Sequence, residues 1–232
     1  MTATPKLNIT LARMQLQAEQ WRSVSDRRFI FLECYTLMTR NMLAAIERGE
    51  FNDNAWISLL LDRFAEYYFR ALDDYEERVP TTPPVWLVAF TAATRHTTMT
   101  LQHLLLGVNA HINYDLVLAL FDLLEPEWAT LTEVRRAEHY ADYSRVNLII
   151  GQTIDAVQDQ VIESVTPALD IVDKMLGPID EWATAHLISR WRENVWREAI
   201  HLLETEDIAR REMLRAHIEA ETLRRSNMLL IV

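Results

Sequence analysis

The chain has 232 residues, a formal net charge of −11, and hydrophobic side chains at half of its positions. The acidic balance, with no basic stripe, disfavours binding to the phosphate backbone of a nucleic acid polymer. Only four Gly and seven Pro interrupt a helix-favouring composition, and the length fits one domain. We therefore expect an all-α, single-domain helical bundle over residues 1–232, with a core at 21–204 and a C-terminal amphipathic helix at 205–232.

The expected compartment is the cytoplasm. Cys34 is the single cysteine and cannot form an internal disulfide, and the first twenty residues lack the features of a secretory signal. No stretch of about 18 or more apolar residues is free of charge, so we expect no membrane span.

Capping and helix-ending residues predict a helical hairpin in the first third of the chain. The first helix covers about residues 25–48 and is ended by Gly49. Asn52 or Asp53 then caps a second helix that reaches Tyr75.

A long central helix follows a proline-rich loop. Pro84 lies where proline is favoured, in the first turn of a helix. From there to Leu124 only Gly107 interrupts the helical spacing, and Pro126 follows the end. The pattern predicts one kinked helix over residues 85–124, or two nearly collinear helices that meet near Gly107 to Asn109.

The last third of the chain is also predicted to be helical. Helices are expected over about residues 132–164 and 167–177, and a further helix opens at Pro178 and Asp180. The remainder, from about Thr205, is a charged helix with apolar residues near one face. We expect it to act as a packing arm or to form a homodimer.

Polar residues form a stripe along the central helix. Gly107, His111 and Asp115 follow one another at intervals of four residues and share a helical face. The spacing lets the imidazole of His111 and the carboxylate of Asp115 reach one cation, while Gly107 leaves room beside them. Asn109 and Asn113 form a second pair with the same spacing. The stripe predicts a site for a divalent metal such as zinc, with His111 and Asp115 as ligands.

The same residues have a second interpretation that stays open. His, Asn and Asp on a bundle helix also form hydrogen-bonded networks that tie helices together. If the site is functional, other helices offer residues to complete it. The predicted set comprises Asp142 and Asn113 as catalytic residues, with Asn109, Asn147 and Arg192 binding a substrate.

Two resemblances follow from these motifs. The segment AHINYDL, with FNDNAW upstream and DYSRVNLIIGQTIDAVQD downstream, resembles a family of bacterial helical domains of uncharacterised function over about residues 21–204. More distantly, Leu106, Gly107, His111 and Asp115 are similar to the L-G-x-x-x-H-x-x-x-D segment that holds zinc in zinc-dependent phospholipase C and single-strand nucleases. This chain lacks the Pro and further His that follow the Asp in those enzymes, and their N-terminal Trp ligand.

Two functions are consistent with these patterns. One is a metal-dependent hydrolase that acts on a small polar or phosphorylated substrate, with a metal-bound water as nucleophile. The other is a non-catalytic helical protein that binds a small molecule or docks a partner, with the His, Asn and Asp side chains forming a buried network.

Overall fold

The computed structural model describes residues 4–95, 97–157, 161 and 181–231. These residues form helices and no strand, which confirms the all-α prediction. The helices are α1 (Thr4–Ser23), α2 (Phe29–Glu47), α3 (Asn54–Glu76), α4 (Pro84–Ala93), α5 (Thr100–Ala110), a π-helical segment (His111–Asp115), α6 (Leu116–Leu124), α7 (Glu133–Val157), α8 (Glu181–Glu204) and α9 (Ile208–Ile231). The helix predicted at 167–177 lies outside the described residues.

The chain divides into two compact units. Unit 1 comprises Met1–Ser58 and Glu133–Arg190, and unit 2 comprises Leu59–Thr132 and Trp191–Val232. The prediction of one domain with a core at 21–204 stays a prediction. Each unit is described below by itself.

In unit 1, α1 packs on α2, and α2 packs on α7. Helix α1 was not predicted, although its buried residues Leu7, Met14 and Trp21 recur every seven positions. That interval is two helical turns, so the three side chains lie on one face and meet α2. The packing extends the folded structure well before residue 21.

The first three helices end in the same way, with a residue in the left-handed region. Gly49 has a φ of +71°, and Ser25 and Arg78 each have a φ of 58°. After α2, Gly49 N–H donates to the Ile46 carbonyl and Glu50 N–H donates to the Ala45 carbonyl. These two bonds form the Schellman motif and satisfy carbonyls at the helix end, so the stop predicted at Gly49 is confirmed.

In unit 2, α9 packs against α4, α5 and the π segment. The prediction of a helix over 85–124 is wrong in its first part, because the chain leaves the helix after Ala93 and re-enters it at Thr100. Gly107, where an interruption was expected, lies buried within α5. Helix α5 then continues through the π segment into α6, so the irregularity lies at 111–115.

Two helical stretches, 29–47 and 100–124, are long and apolar enough to cross a membrane by length and composition. In the structure 67% and 78% of their apolar windows are buried. The buried core helix of a soluble protein passes the same test, so length and composition are a weak indication of a membrane span. The expectation of no span stays a prediction.

Candidate functional site

The π segment carries three of the predicted site residues. The N–H of Leu116 donates to the carbonyl of His111, five residues earlier, which is the hydrogen bond of a π turn. His111, Asn113 and Asp115 are all buried in it. Single π turns within α-helices are frequent at functional sites, which makes this turn a candidate site.

His111 and Asp115 form a closed pair, as their spacing predicted. Nδ1 of His111 lies 3.0 Å from Oδ2 of Asp115, and the side chains are 5% and 1% exposed. The Nε1 atom of Trp86, in α4, donates to both oxygens of Asp115 at 3.0 Å. The indole N–H thus compensates the buried carboxyl group from a second helix.

Aromatic rings enclose the imidazole of His111. Phe64 stacks on it with ring centroids 3.5 Å apart and planes 7° apart. Tyr68 meets it edge-on, with centroids 6.1 Å apart, and Trp86 lies at the same centroid distance. These apolar walls exclude water from the pair and stabilise its uncharged form.

Burial acts on the two ionisable groups in opposite directions. It raises the pKa of Asp115 well above its usual range, although the hydrogen bond from Trp86 lowers it in part. It lowers the pKa of His111 well below its usual range. Both directions favour a neutral pair, in which a protonated Asp115 donates to the Nδ1 of a neutral His111.

The pair supplies few of the ligands that a zinc ion needs. A catalytic zinc takes three protein ligands and a structural zinc takes four. Among the described residues no group of three or more His, Cys, Asp and Glu could hold a metal ion. His111 and Asp115 therefore do not form a metal centre unaided, and the divalent metal stays a prediction.

The second predicted pair ties the central helix to α9. Asn113 Nδ2 donates to Asn109 Oδ1 at 3.0 Å, and Asn109 Nδ2 donates at 3.0 Å to both the Thr222 carbonyl and the Ser226 hydroxyl. The Thr222 hydroxyl in turn donates to the Asn113 carbonyl at 3.2 Å. Asn109 is fully buried, so these bonds satisfy polar groups that water cannot reach.

A polar cleft of about 370 Å³ opens beside Asn113 in unit 2. Most of its walls are residues of α8 and α9, and Asn113 of the π segment and Val117 of α6 also line it. Its polar lining includes Asn113, Glu198, His201, His217, Glu221 and Arg225. Asn113 is 5% exposed, and its amide forms no side-chain hydrogen bond with the described residues beyond the one to Asn109.

The model of a family of unknown function, DUF5995, matches residues 8–231. The chain belongs to this family. Neither the curated proteins nor the solved structures compared with the chain include a match to it.

Membership of DUF5995 confirms the resemblance to an uncharacterised family and extends it beyond residues 21–204. The AHINYDL signature and the similarity to zinc-dependent phospholipase C are not confirmed by this match. No activity comes with the family description, so the site must be judged by its geometry.

In this DUF5995 chain, Asp142 lies in unit 1 and holds a loop. Its Oδ1 accepts hydrogen bonds from the backbone and side-chain nitrogens of Asn52 at 2.8 and 2.9 Å, and its Oδ2 accepts from the backbone N–H of Asp53 at 2.7 Å. Asp53 in turn caps α3 by accepting from the N–H of Trp56 at 2.9 Å. Both oxygens of Asp142 are therefore engaged in fixing the start of α3.

The remaining predicted residues belong to different units. Asn147 is half-buried on α7 in unit 1, and Arg192 is 5% exposed on α8 in unit 2. The roles assigned to Asp142, Asn147 and Arg192 stay predictions.

Two parts of the arrangement were missed in the sequence. Trp86 was not considered as the donor to Asp115, although a buried indole N–H needs an acceptor. Helix α9 was regarded as a packing or dimerising arm, yet it supplies His217, Glu221 and Arg225 to the cleft. Thr222 and Ser226, four residues apart on its buried face, were the available signal.

Proposed function

We propose that this DUF5995 protein is a non-catalytic helical protein that binds a small polar molecule in the cleft beside Asn113. The observation that carries the proposal is the Asn113 side chain, which is 5% exposed, lines the cleft and makes a single side-chain hydrogen bond within the described residues. A buried amide with spare hydrogen-bonding capacity is costly unless water or a ligand satisfies it.

The size and composition of the cleft support this proposal. Its volume of about 370 Å³ lies in the range of small-molecule sites. Polar side chains from α8, α9 and the π segment converge on it, and such convergence orients a ligand. The polar lining favours a hydrophilic ligand over an apolar one.

The buried hydrogen-bonded network holds Asn113, which lines the cleft, in place. Asn109 holds Asn113 from one side and Thr222 holds its backbone carbonyl from another. The His111–Asp115 pair and Trp86 fix the rest of the π segment against α4. A site whose side chains are already held in place loses less entropy when a ligand binds.

The metal-dependent hydrolase remains the competing hypothesis. It requires a metal at His111 and Asp115, and those residues have the contacts of a closed hydrogen-bonded pair. The two hypotheses place the functional group on different residues, so variants can separate them.

A cleft-filling substitution tests the proposal. His201 is exposed and lines the cleft, whereas Glu204 is exposed on the same helix and does not line it. Thermal melts of the wild type with a panel of small polar molecules should reveal ligands that raise the melting temperature. His201→Trp should abolish these shifts, and Glu204→Trp should preserve them.

Two outcomes would overturn the proposal. One is a panel that contains no stabilising molecule. The other is a set of ligand-induced shifts that His201→Trp leaves unchanged, since the ligand would then bind elsewhere.

A further inference from the structure

We infer that the ligand of the cleft is a small zwitterion, with an anionic oxygen group held by Arg225 and a positively charged nitrogen held by Glu198. This inference rests on the proposed function of the cleft and names the chemical class of its ligand. It follows from which charges in the cleft already have partners and which do not.

Arg225 provides an unused cation. Its side chain is half-buried on α9 and lines the cleft, and it forms no hydrogen bond or ion pair with the described residues. Burial lowers the pKa of Arg225, against the opposing effect of the nearby carboxylates of Glu221 and Glu198. A partly desolvated guanidinium is a strong partner for a carboxylate or phosphate, because it can donate two parallel hydrogen bonds.

Glu198 provides an unused anion on the opposite helix. It is half-buried on α8, lines the cleft, and forms no hydrogen bond or ion pair with the described residues. It lies near enough to Arg225 to raise the pKa of that group, yet the two do not form an ion pair. A molecule with both charges can bridge them, whereas a simple anion would meet the repulsion of the Glu198 carboxylate.

Two other charged side chains that line the cleft have partners among the described residues. Glu221 pairs with Arg224 at 2.8 Å, and Arg197 donates a hydrogen bond to Asn194. Arg197 is exposed, whereas Arg225 and Glu198 are half-buried, line the cleft and form no hydrogen bond or ion pair with the described residues. Asn113 also lines the cleft, and its amide has both a donor and an acceptor for a ligand.

The test uses the full-length protein and calorimetric titration. The probes are individual L-amino acids, together with inorganic phosphate and, for each amino acid that binds, the matching carboxylic acid without the amine and the matching amine without the carboxylate. We expect an amino acid to bind and each truncated analogue to bind at least about tenfold more weakly.

Two pairs of variants assign the groups. Arg225→Gln and Glu198→Gln should each weaken binding of that amino acid by about tenfold or more. Arg210→Gln and Glu204→Gln are the matched controls, since both residues are exposed on the same two helices and neither lines the cleft. The controls should bind as the wild type does.

Each alternative result has a distinct meaning. If an analogue without the amine, or phosphate, binds as well as the amino acid, the site takes simple anions and the zwitterion is wrong. If other polar molecules bind in a manner that His201→Trp abolishes but no amino acid does, the proposed function stands and this inference fails. If nothing binds, both fail. Should Arg225→Gln melt early, Arg225→Lys, which keeps the charge, should bind more tightly than the Gln variant and less tightly than the wild type.

Discussion

The Nε1 atom of Trp86 donates to both carboxyl oxygens of Asp115 at 3.0 Å. The two residues are 29 positions apart, so this contact joins α4 to the π segment. Because Asp115 also bonds to His111, one buried carboxyl group contacts both ends of the π segment's own turn and the indole of α4.

The first prediction concerns the contribution of the Asp115 hydrogen bonds to the stability of the fold. Asp115→Asn keeps an oxygen that accepts from Trp86 and adds an amide that donates to His111. It should therefore lower the free energy of unfolding by less than about 1 kcal/mol. Asp115→Ala leaves the indole N–H and the imidazole without this partner, so it should lower the free energy of unfolding by about 1 to 3 kcal/mol. Urea unfolding of the three proteins checks the order. A more stable Ala variant would show that the pair does not stabilise the fold.

The second prediction separates the metal site from the network. If His111 and Asp115 share a metal, His111→Ala and Asp115→Ala should each lose it. The double variant should then be hardly less stable than either single variant. If they form only a buried network, purified wild-type protein should contain no stoichiometric metal, and both substitutions should lower stability. Elemental analysis of the wild type and both variants, beside their melts, decides between the two.

The third prediction is the pH dependence of the Asp115 contribution. The pKa of Asp115 is raised in the folded state, so the folded chain holds this proton more tightly than the unfolded chain does. Its contribution is fully present below about pH 4 and is lost as the pH rises through the folded pKa. Asp115→Asn has no carboxyl group to titrate at this position, so its stability relative to the wild type should improve as the pH rises.

Unfolding of both proteins at several pH values above 4 measures that difference. A difference that does not change with pH would mean that Asp115 has the same affinity for its proton in both states.

The fourth prediction concerns the bonds between α5 and α9. Asn109 is fully buried and its amide donates to the Thr222 carbonyl and the Ser226 hydroxyl. Asn109→Ala should lower the free energy of unfolding by about 1 to 3 kcal/mol, because it leaves the buried Asn113 amide without its acceptor and the Ser226 hydroxyl without the donor from Asn109. Asn227→Ala, at an exposed position of α9, is the control and should stay within about 0.5 kcal/mol of the wild type. Equal effects of the two substitutions would contradict the assigned network.

The fifth prediction concerns the end of α3. Arg78 is exposed and has a φ of 58°, a conformation that favours glycine. Arg78→Gly should raise the free energy of unfolding by about 1 kcal/mol, since it removes the steric cost of the left-handed conformation. Glu77→Gly, one position earlier, should give no such gain. Thermal melts check both variants, and a destabilised Arg78→Gly would contradict the assigned conformation.

Several features of this protein follow from local sequence. The helical class follows from the scarcity of Gly and Pro, and the ends at Gly49 and Pro84 follow from backbone restrictions that act within one or two residues. The cap at Asp53 depends on a side chain three residues from its donor. The proximity of His111 and Asp115 follows from helical spacing, because a contact at i, i+4 needs no other part of the chain.

Other features were decided by tertiary structure. The indole that donates to Asp115 lies 29 residues away, and the α9 groups that accept from Asn109 lie 113 and 117 residues away. The cleft combines Asn113 with side chains of two helices that follow residue 180 in the chain. Periodicity identifies which face of a helix is buried, but the helix that covers that face depends on packing among all of them. For this reason the polar stripe was recognisable in the sequence, while its indole donor, its tie to α9 and the cleft beside it appear only in the folded chain.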